Sequence, residues 1–333
     1  MAEIDQILSK LSKKTRERAM LAMESHLDRM ELPSQGLNKA TGGGLGYGRI
    51  TGIWGPKSSA KSSVIMQAIG IEQKKGKTAV WIDAENSFDK SWAESLGVNT
   101  NELIVSTVKS FEQVTDTSVE FINAGIDIIT VDSIGVLLPM SFFEKDGDEL
   151  KGLEGTKQIG SIARDLGNML KMVNYVNTKT AYIVISQVRN KFLQHGAMHT
   201  HMGGFALDHN ASTIVKFSAS SQEKEQIIGE VYSGNKAFQQ PIGRKVNWQI
   251  DKNKIGPTNM TGEFDFYYGG DEIGVDAIGE VVDLAERYGI IVKGGAWYSY
   301  GDTKLQGRMK MVDHLRATPS DYDEIVAKLA AEQ

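Results

Sequence analysis

Apolar residues along the chain divide it into three zones. Over residues 1–30, which hold neither Gly nor Pro, Ile4, Leu8 and Leu11 recur at helical spacing, and Leu27 and Met30 continue the stripe. That spacing predicts an amphipathic helix ending before Pro33. Its polar side is basic over residues 10–18, where Lys10, Lys13, Lys14, Arg16 and Arg18 stand against Glu17 alone. Such a helix either packs on the core of its own chain or docks as an arm on a neighbouring subunit.

Between residues 41 and 270, short β-branched runs alternate with helical patterns. Strands are predicted over 49–54, 79–83, 126–132, 182–186, 213–218, 245–251 and 262–268. The run Ile126-Asp127-Ile128-Ile129-Thr130-Val131 suits a strand buried on both faces. Helix-length segments separate the first four strands, which predicts parallel pairing with crossover helices. The last three are closely spaced and read as an antiparallel extension. Residues 271–333 read as a small α+β unit: a helix over 279–288, a hairpin over 290–304 turning at Gly294-Gly295, and a last helix from Thr318-Pro319 to about Ala330. The expected organisation is an N-terminal helical arm (1–32), an α/β core with a mostly parallel central sheet and helices on both faces (33–270), and a C-terminal α+β domain (271–333).

Composition narrows the function. The 333 residues carry 37 Lys and Arg against 42 Asp and Glu, so any nucleic-acid surface must be local. There is no Cys, which excludes disulfide frameworks, Cys-ligated zinc and thiol catalysis. No apolar run reaches the roughly 18 residues of a membrane span, and the mixed charges at the N-terminus do not suit a secretory signal. The lack of Cys permits a reducing cytoplasm, which is the expected location. Gly is frequent (35) and Pro scarce (6), which hints at close backbone approaches, as to phosphates.

Strand 49–54 runs into Gly55-Pro56-Lys57-Ser58-Ser59-Ala60-Lys61-Ser62-Ser63, and a helical pattern follows. This nearly matches the phosphate-binding loop, in which backbone N–H groups and a helix N-terminus cradle β- and γ-phosphates. Lys61 supplies a point charge and Ser62 a hydroxyl for Mg²⁺. Ala60 stands where the motif has Gly. It costs about 1 kcal/mol if that position needs φ > 0 and nothing if the position is helical; the expectation is that the loop tolerates it. Asp132 closes the strand where a second Mg²⁺-supporting group belongs. Glu85 falls just past another strand end, where ligands bind in such sheets, although a carboxylate there can also be a helix cap. Gln187 ends a fourth strand and either senses the γ-phosphate or closes a turn.

These pieces, together with Asp83-Ala84-Glu85, Val131-Asp132-Ser133, Gln187-Val188-Arg189, Met202-Gly203-Gly204, Lys252-Asn253-Lys254 and Gly294-Gly295-Ala296-Trp297-Tyr298-Ser299-Tyr300, resemble the RecA family of recombinases from about residue 31 to 330. Ala60, and an end without an acidic tail, resemble phage-encoded relatives of the UvsX type. The resemblance implies a DNA-dependent ATPase, with ATP and Mg²⁺ as cofactors, that forms helical filaments on single-stranded DNA and exchanges strands with homologous duplex. Single-strand-binding and loader proteins are implied partners, and no membrane is. By the same resemblance Lys61 and Ser62 bind phosphates and Mg²⁺, Asp132 supports Mg²⁺, and Glu85 activates the attacking water. Asp89 and Trp92 hold the adenine, with Trp92 in place of a Tyr, and Tyr268 is a further nucleotide contact. Lys252 and Lys254 match cations that reach the neighbouring subunit's γ-phosphate; by themselves they read as a solvated strand end.

Two DNA-binding loops are implied as well. The first spans about 143–158, with Ile159 as a base wedge and Arg164 and Lys171 as backbone contacts beyond it. The second spans 188–203, where Arg189 and Lys191 meet phosphates, Phe192 inserts between bases, and Gly203 and Gly204 allow close approach. Composition alone also fits a disordered surface loop. His195, His199 and His201 lie in this second loop, and their spacing invites a metal reading that the lack of Cys weakens. Phe205, Asp208 and His209 depart from the family residues that follow the Gly pair and couple nucleotide state to DNA binding. The rival readings are a hexameric helicase on the same core and a non-hydrolysing recombination mediator.

Overall fold

The computed structural model describes residues 6–7, 9–16, 27–143, 161–193, 196–219, 226–233, 236–270 and 272–332; the side chains of 161, 189–201 and 232–236 are not part of that description. Among these residues the centre is an eleven-stranded sheet. Its parallel part runs, across the sheet, Thr213–Ala219, Arg49–Gly55, Ala181–Leu193, Ile128–Asp132, Ala79–Asp83 and Leu103–Thr107. The antiparallel part adds Lys236–Asn253, Thr261–Tyr267 and Gly274–Val275 beside Thr213–Ala219.

Period-two alternation sends successive side chains to opposite faces. Ala79 and Trp81 join a core against the helix Lys61–Gln73, while Val80 and Ile82 join a second core against the helices Phe111–Ala124 and Ser161–Val176. Both cores are fully buried at the central strands, so those strands are apolar along most of their length, with Thr130 and the strand-end carboxylates Asp83 and Asp132 among the buried polar exceptions. Ser110 begins the helix Phe111–Ala124 with a capping box to Gln113, and Gly125 ends it in the left-handed region.

Several elements differ from the sequence reading. Residue Met30 does not continue a helix: Arg29–Met30 is a short strand paired with Leu45–Gly46, and Met30 is wholly buried in the core. Arg29 ties that strand down through the carbonyls of Thr41, Gly44 and Ile255. Of the N-terminal region only short pieces are described, including a helix over Lys13–Arg16. The strand Leu103–Thr107 was not predicted, because as a sheet edge it leaves Ile104 and Val105 exposed and its pattern weak. The expected strand over 245–251 is the end of an 18-residue strand, Lys236–Asn253, whose outer half forms a hairpin with Gln226–Ser233.

The C-terminal unit has its own core of Val281, Val282, Ile291, Met311, Leu315 and Ile325, among others. The expected hairpin is a three-stranded meander, Val292–Gly294, Trp297–Tyr300 and Thr303–Gln306, and a helix over Arg308–Ala317 precedes the last one. Pro319 opens the last helix, but Thr318 makes no side-chain cap there.

Glu280 joins this unit to the core. It is buried, and its carboxylate accepts from the Ser34 hydroxyl (2.7 Å) and from the backbone N–H of Gln35 (2.9 Å) and Gly36 (3.2 Å). Burial outweighs these donors and pushes its pKa up to about 7. A carboxyl raised on folding binds its proton more tightly in the folded state. Its contribution is therefore fully present below the ordinary glutamate range and is lost as pH rises through about 7. The melting temperature should fall from pH 5 to pH 8, and Glu280→Gln should flatten that dependence, as scanning fluorimetry at a series of pH values will show. Equal slopes for both proteins would remove Glu280 as the source.

Candidate nucleotide site and its neighbours

The strand Arg49–Gly55 is held between two parallel neighbours, with Gly55 opposite Gln187 and Trp54 opposite Lys216. The loop therefore starts at the carboxyl edge of the sheet, where the strands open toward ligand. Gly55 is required by a close approach, since a Cβ there would run into the carbonyl oxygen of Phe217. Ser59 folds the loop back by donating to the Pro56 carbonyl at 2.9 Å.

Ala60, the N-cap of the helix Lys61–Gln73, has φ 62° and ψ 14°. The position is left-handed, so of the two alternatives the one with φ > 0 holds, and Ala in place of Gly costs about 1 kcal/mol. Ala60→Gly should raise the melting temperature of the nucleotide-free protein by roughly 2 °C. Its turnover should change less than about tenfold, because the loop geometry itself is retained. An unchanged melting temperature would mean that the surrounding contacts hold Ala60 without strain.

Behind the loop, acidic and basic groups meet in a small buried space. Lys61 is 8% exposed and donates to the Pro56 carbonyl at 2.7 Å. Burial pulls its pKa down, while Asp132 and Glu85 oppose that shift. Asp132 accepts the Ser62 hydroxyl at 2.7 Å. Burial raises Asp132 to about 6, against the Ser62 bond and with repulsion from Glu85. Glu85 Oε1 accepts from Gln187 Nε2 at 2.9 Å and from the Ser133 hydroxyl. Glu85 is thus bound across two strand ends and does not cap a helix. Asp83 orders the turn beyond it by accepting from the backbone N–H of Ser87 and Phe88.

A cavity of about 250 Å³ opens over the loop, lined by Ser58–Ser63, Arg244, Phe266 and Tyr268. Tyr268, a nucleotide-contact candidate, thus lines this cavity. Gly55, Pro56 and Lys57 form the entry to the loop and do not line the cavity. Trp92 stands one residue back, donating from its indole to Ser63 Oγ at 3.2 Å. Asp89 caps the helix Lys90–Ser95 by accepting from Trp92 N–H at 2.7 Å. Neither Asp89 nor Trp92 lines the cavity directly.

Lys252 and Lys254 lie at the opposite end of the sheet. Lys252 pairs with Ile214 and Asn253 with Thr213, and Thr213 lies beside Thr51. At about 3.3 Å per residue this is roughly 10 Å or more from Gly55. Nor is the pair simply solvated. Lys252 Nζ donates to the Asp208 carbonyl and Lys254 Nζ to the His209 carbonyl at 3.4 Å, at the end of the helix Gly204–Asn210. Burial, then the neighbouring Lys254, lowers the pKa of Lys252. Because backbone carbonyls make these contacts, the unusual side chains of Asp208 and His209 do not remove them. Phe205 is exposed and stacks on His209, with ring centroids 6.5 Å apart.

The second predicted DNA loop is a β-hairpin: Val188 pairs with His201, Lys191 with Met198 and Leu193 with Gly196. It is rooted in the site, for Met202 N–H donates to the Gln187 carbonyl (3.2 Å) and to Ser186 Oγ (3.0 Å). Gly203 is the N-cap of the following helix, and Gly204 has φ 47° with open space where a Cβ would stand. Gly204 thus answers a backbone angle and not a close approach within the chain. Arg164 and Lys171 are exposed on one face of the helix Ser161–Val176, opposite the buried Leu166, Met169, Leu170 and Val173. Phe143, at the start of the first loop, is buried, whereas the rest of that loop, Ile159 and His195, and the side chains of Arg189, Lys191, Phe192, His199 and His201, lie outside the described residues.

Sequence reasoning missed Ser133 and Arg244 as site residues. Ser133 could have been found from its place directly after Asp132; Arg244, remote from every motif, had no such signal.

A phosphate loop at the carboxyl edge of a mostly parallel sheet, with a Ser–Asp pair and a strand-end Glu beside it, defines a nucleotide-binding ATPase core. A family model described as the RecA N-terminal domain matches residues 2–273, and one described as the RecA C-terminal domain matches 279–332. Protein RecA of Chloroherpeton thalassium is 36% identical over 86% of this chain and 76% of its own length. Protein RecA of Psychrobacter cryohalolentis is 35% identical over 92% and 83%, and that of Caulobacter vibrioides 35% over 98% and 88%. The chain belongs to the RecA family. It is a recombinase, with nucleotide, Mg²⁺ and DNA as the family's general ligands. Among the described residues, no helix is long and apolar enough to cross a membrane.

Proposed function

We propose that the chain polymerises on single-stranded DNA as a helical filament, hydrolyses ATP only when so assembled, and pairs the bound strand with homologous duplex. The separation of the phosphate loop from Lys252 and Lys254 carries this reading. These cations sit at the far end of their own sheet, so they serve a phosphate group only in a neighbouring subunit, as trans-acting cations do. Residues 1–32 act as the docking arm, residues 33–270 as the ATPase core and residues 271–333 as a gate for duplex.

Ser62 and Asp132 present two hard oxygens 2.7 Å apart beside the loop, a set that suits Mg²⁺ completed by phosphate and water. When bound, Mg²⁺ supplies charge compensation to the phosphates. Lys61 and the loop amides hold the β- and γ-phosphates. Glu85 Oε1 is already engaged by Gln187 and Ser133, which leaves Oε2 to orient the attacking water and take its proton. Gln187 also anchors the hairpin of the second DNA loop through its carbonyl. One residue thereby bears on both the γ-phosphate side and the DNA side. Arg164, Lys171, Arg189 and Lys191 meet DNA phosphates, Ile159 and Phe192 enter between bases, and Gly203 and Gly204 shape the loop's exit. Asp89, Trp92 and Tyr268 surround the adenine. Single-strand-binding and loader proteins are the expected partners, in a cytoplasm.

Phosphate release measured with and without single-stranded DNA, beside electron microscopy of the same mixture, tests this reading. DNA-stimulated release with helical filaments is the expected result. Closed rings with duplex unwinding would favour a hexameric helicase, and filaments without release a non-hydrolysing mediator.

A further inference from the structure

Arg244 lies on the strand Lys236–Asn253, between Gln226 and Phe266 in the neighbouring strands. It shares the wall of the loop cavity with the phosphate loop and Tyr268. Its guanidinium donates to the Ser58 carbonyl at 3.2 Å and stands 5.4 Å from the centroid of the Tyr268 ring. Both partners are neutral. The next residue, Lys245, pairs with Glu263 and Asp265, whereas Arg244 has no carboxylate partner among the described residues. A guanidinium without a counter-charge, on a concave wall facing a phosphate loop, is suited to bind an anion through charge-assisted hydrogen bonds.

We propose that Arg244 binds the phosphate chain of the nucleotide at its sugar end, as a second cation besides Lys61. Lys61 is buried at the inner end of the site beside Asp132 and Glu85. Arg244 stands at the outer end, between the loop and the ring that faces the nucleoside. Di- and triphosphates present the same α-phosphate there, so Arg244 strengthens ADP and ATP alike, while adenosine gains nothing from it. The inference rests on the nucleotide-site reading above.

Titration calorimetry with ADP and with ATP, in Mg²⁺ at two salt concentrations, tests it on the full chain. Arg244→Ala should weaken both nucleotides by about tenfold or more and lessen the salt dependence. Arg244→Lys should recover part of the loss, since a charge is retained. The melting temperature without nucleotide should stay at the wild-type value in both variants. Wild-type affinity in Arg244→Ala would overturn the proposal. So would a loss of apo stability that accompanies the loss of affinity and is shared by Arg244→Lys, since Arg244 would then only staple the loop to its wall. Lys61→Ala serves as the reference: if it loses affinity while Arg244→Ala does not, this inference alone fails. If both bind as wild type, the nucleotide-site reading fails with it.

Discussion

Lys61→Ala should lose turnover by about 100-fold or more and lose nucleotide affinity with it, because the loop amides alone leave the phosphate charge under-compensated. Glu85→Gln should lose a comparable amount of turnover, about 10² to 10⁴-fold, yet keep nucleotide affinity. The difference follows from where each group stands. Lys61 is the buried cation of the loop, whereas Glu85 lies beyond it, fixed through one carboxylate oxygen by Gln187 and Ser133. Gln can occupy the same place, but it cannot accept the water's proton. The Glu85→Gln protein should therefore accumulate on single-stranded DNA with nucleotide bound. Phosphate release and nucleotide titration on both variants make the comparison. An equal loss of binding in both would take the base role away from Glu85.

Lys254→Ala should leave nucleotide binding by the free subunit intact and suppress DNA-stimulated hydrolysis by about 10³-fold, the low end for a cation supplied in trans. The register of the sheet motivates this, since Lys254 follows Asn253 at the end remote from Gly55. Mixing Lys254→Ala subunits with Glu85→Gln subunits gives the test. Some interfaces then join an intact Glu85 to an intact Lys254, and activity should partly return. No recovery at any ratio, with mixed filaments confirmed by microscopy, would confine Lys254 to capping the helix Gly204–Asn210 within its own chain.

The parts of this protein legible in its sequence are those that depend on short-range order. Burial on both faces makes residues 128–131 predominantly apolar, and the phosphate loop is contiguous, so both are visible as strings. Strand ends are equally local, which is why Asp132, Glu85 and Gln187 could be placed at one edge of the sheet before any contact was known. The edge strand Leu103–Thr107 escaped because a strand with exposed Ile104 and Val105 lacks the pattern that burial imposes. Met30 was drawn into a helical stripe because an apolar residue alone does not say whether it pairs with Gly44's neighbour Leu45 or with a turn of helix.

The class of the protein is written in its linear pattern: a phosphate loop between strand and helix, carboxylates at parallel strand ends, and a family resemblance over most of the chain. The tertiary structure alone decided which groups share a site. It showed Ala60 to be left-handed, because φ depends on how the loop closes and not on the residue that occupies it. It brought Gln187 and Ser133 onto one oxygen of Glu85, across strands separated by 102 and 48 residues of chain. It put Arg244 on the loop cavity from a strand 186 residues away from Ser58, and it set Lys252 and Lys254 at the far end of the sheet from that cavity. Sheet register links positions without regard to their distance along the chain, and a one-dimensional pattern carries no record of it.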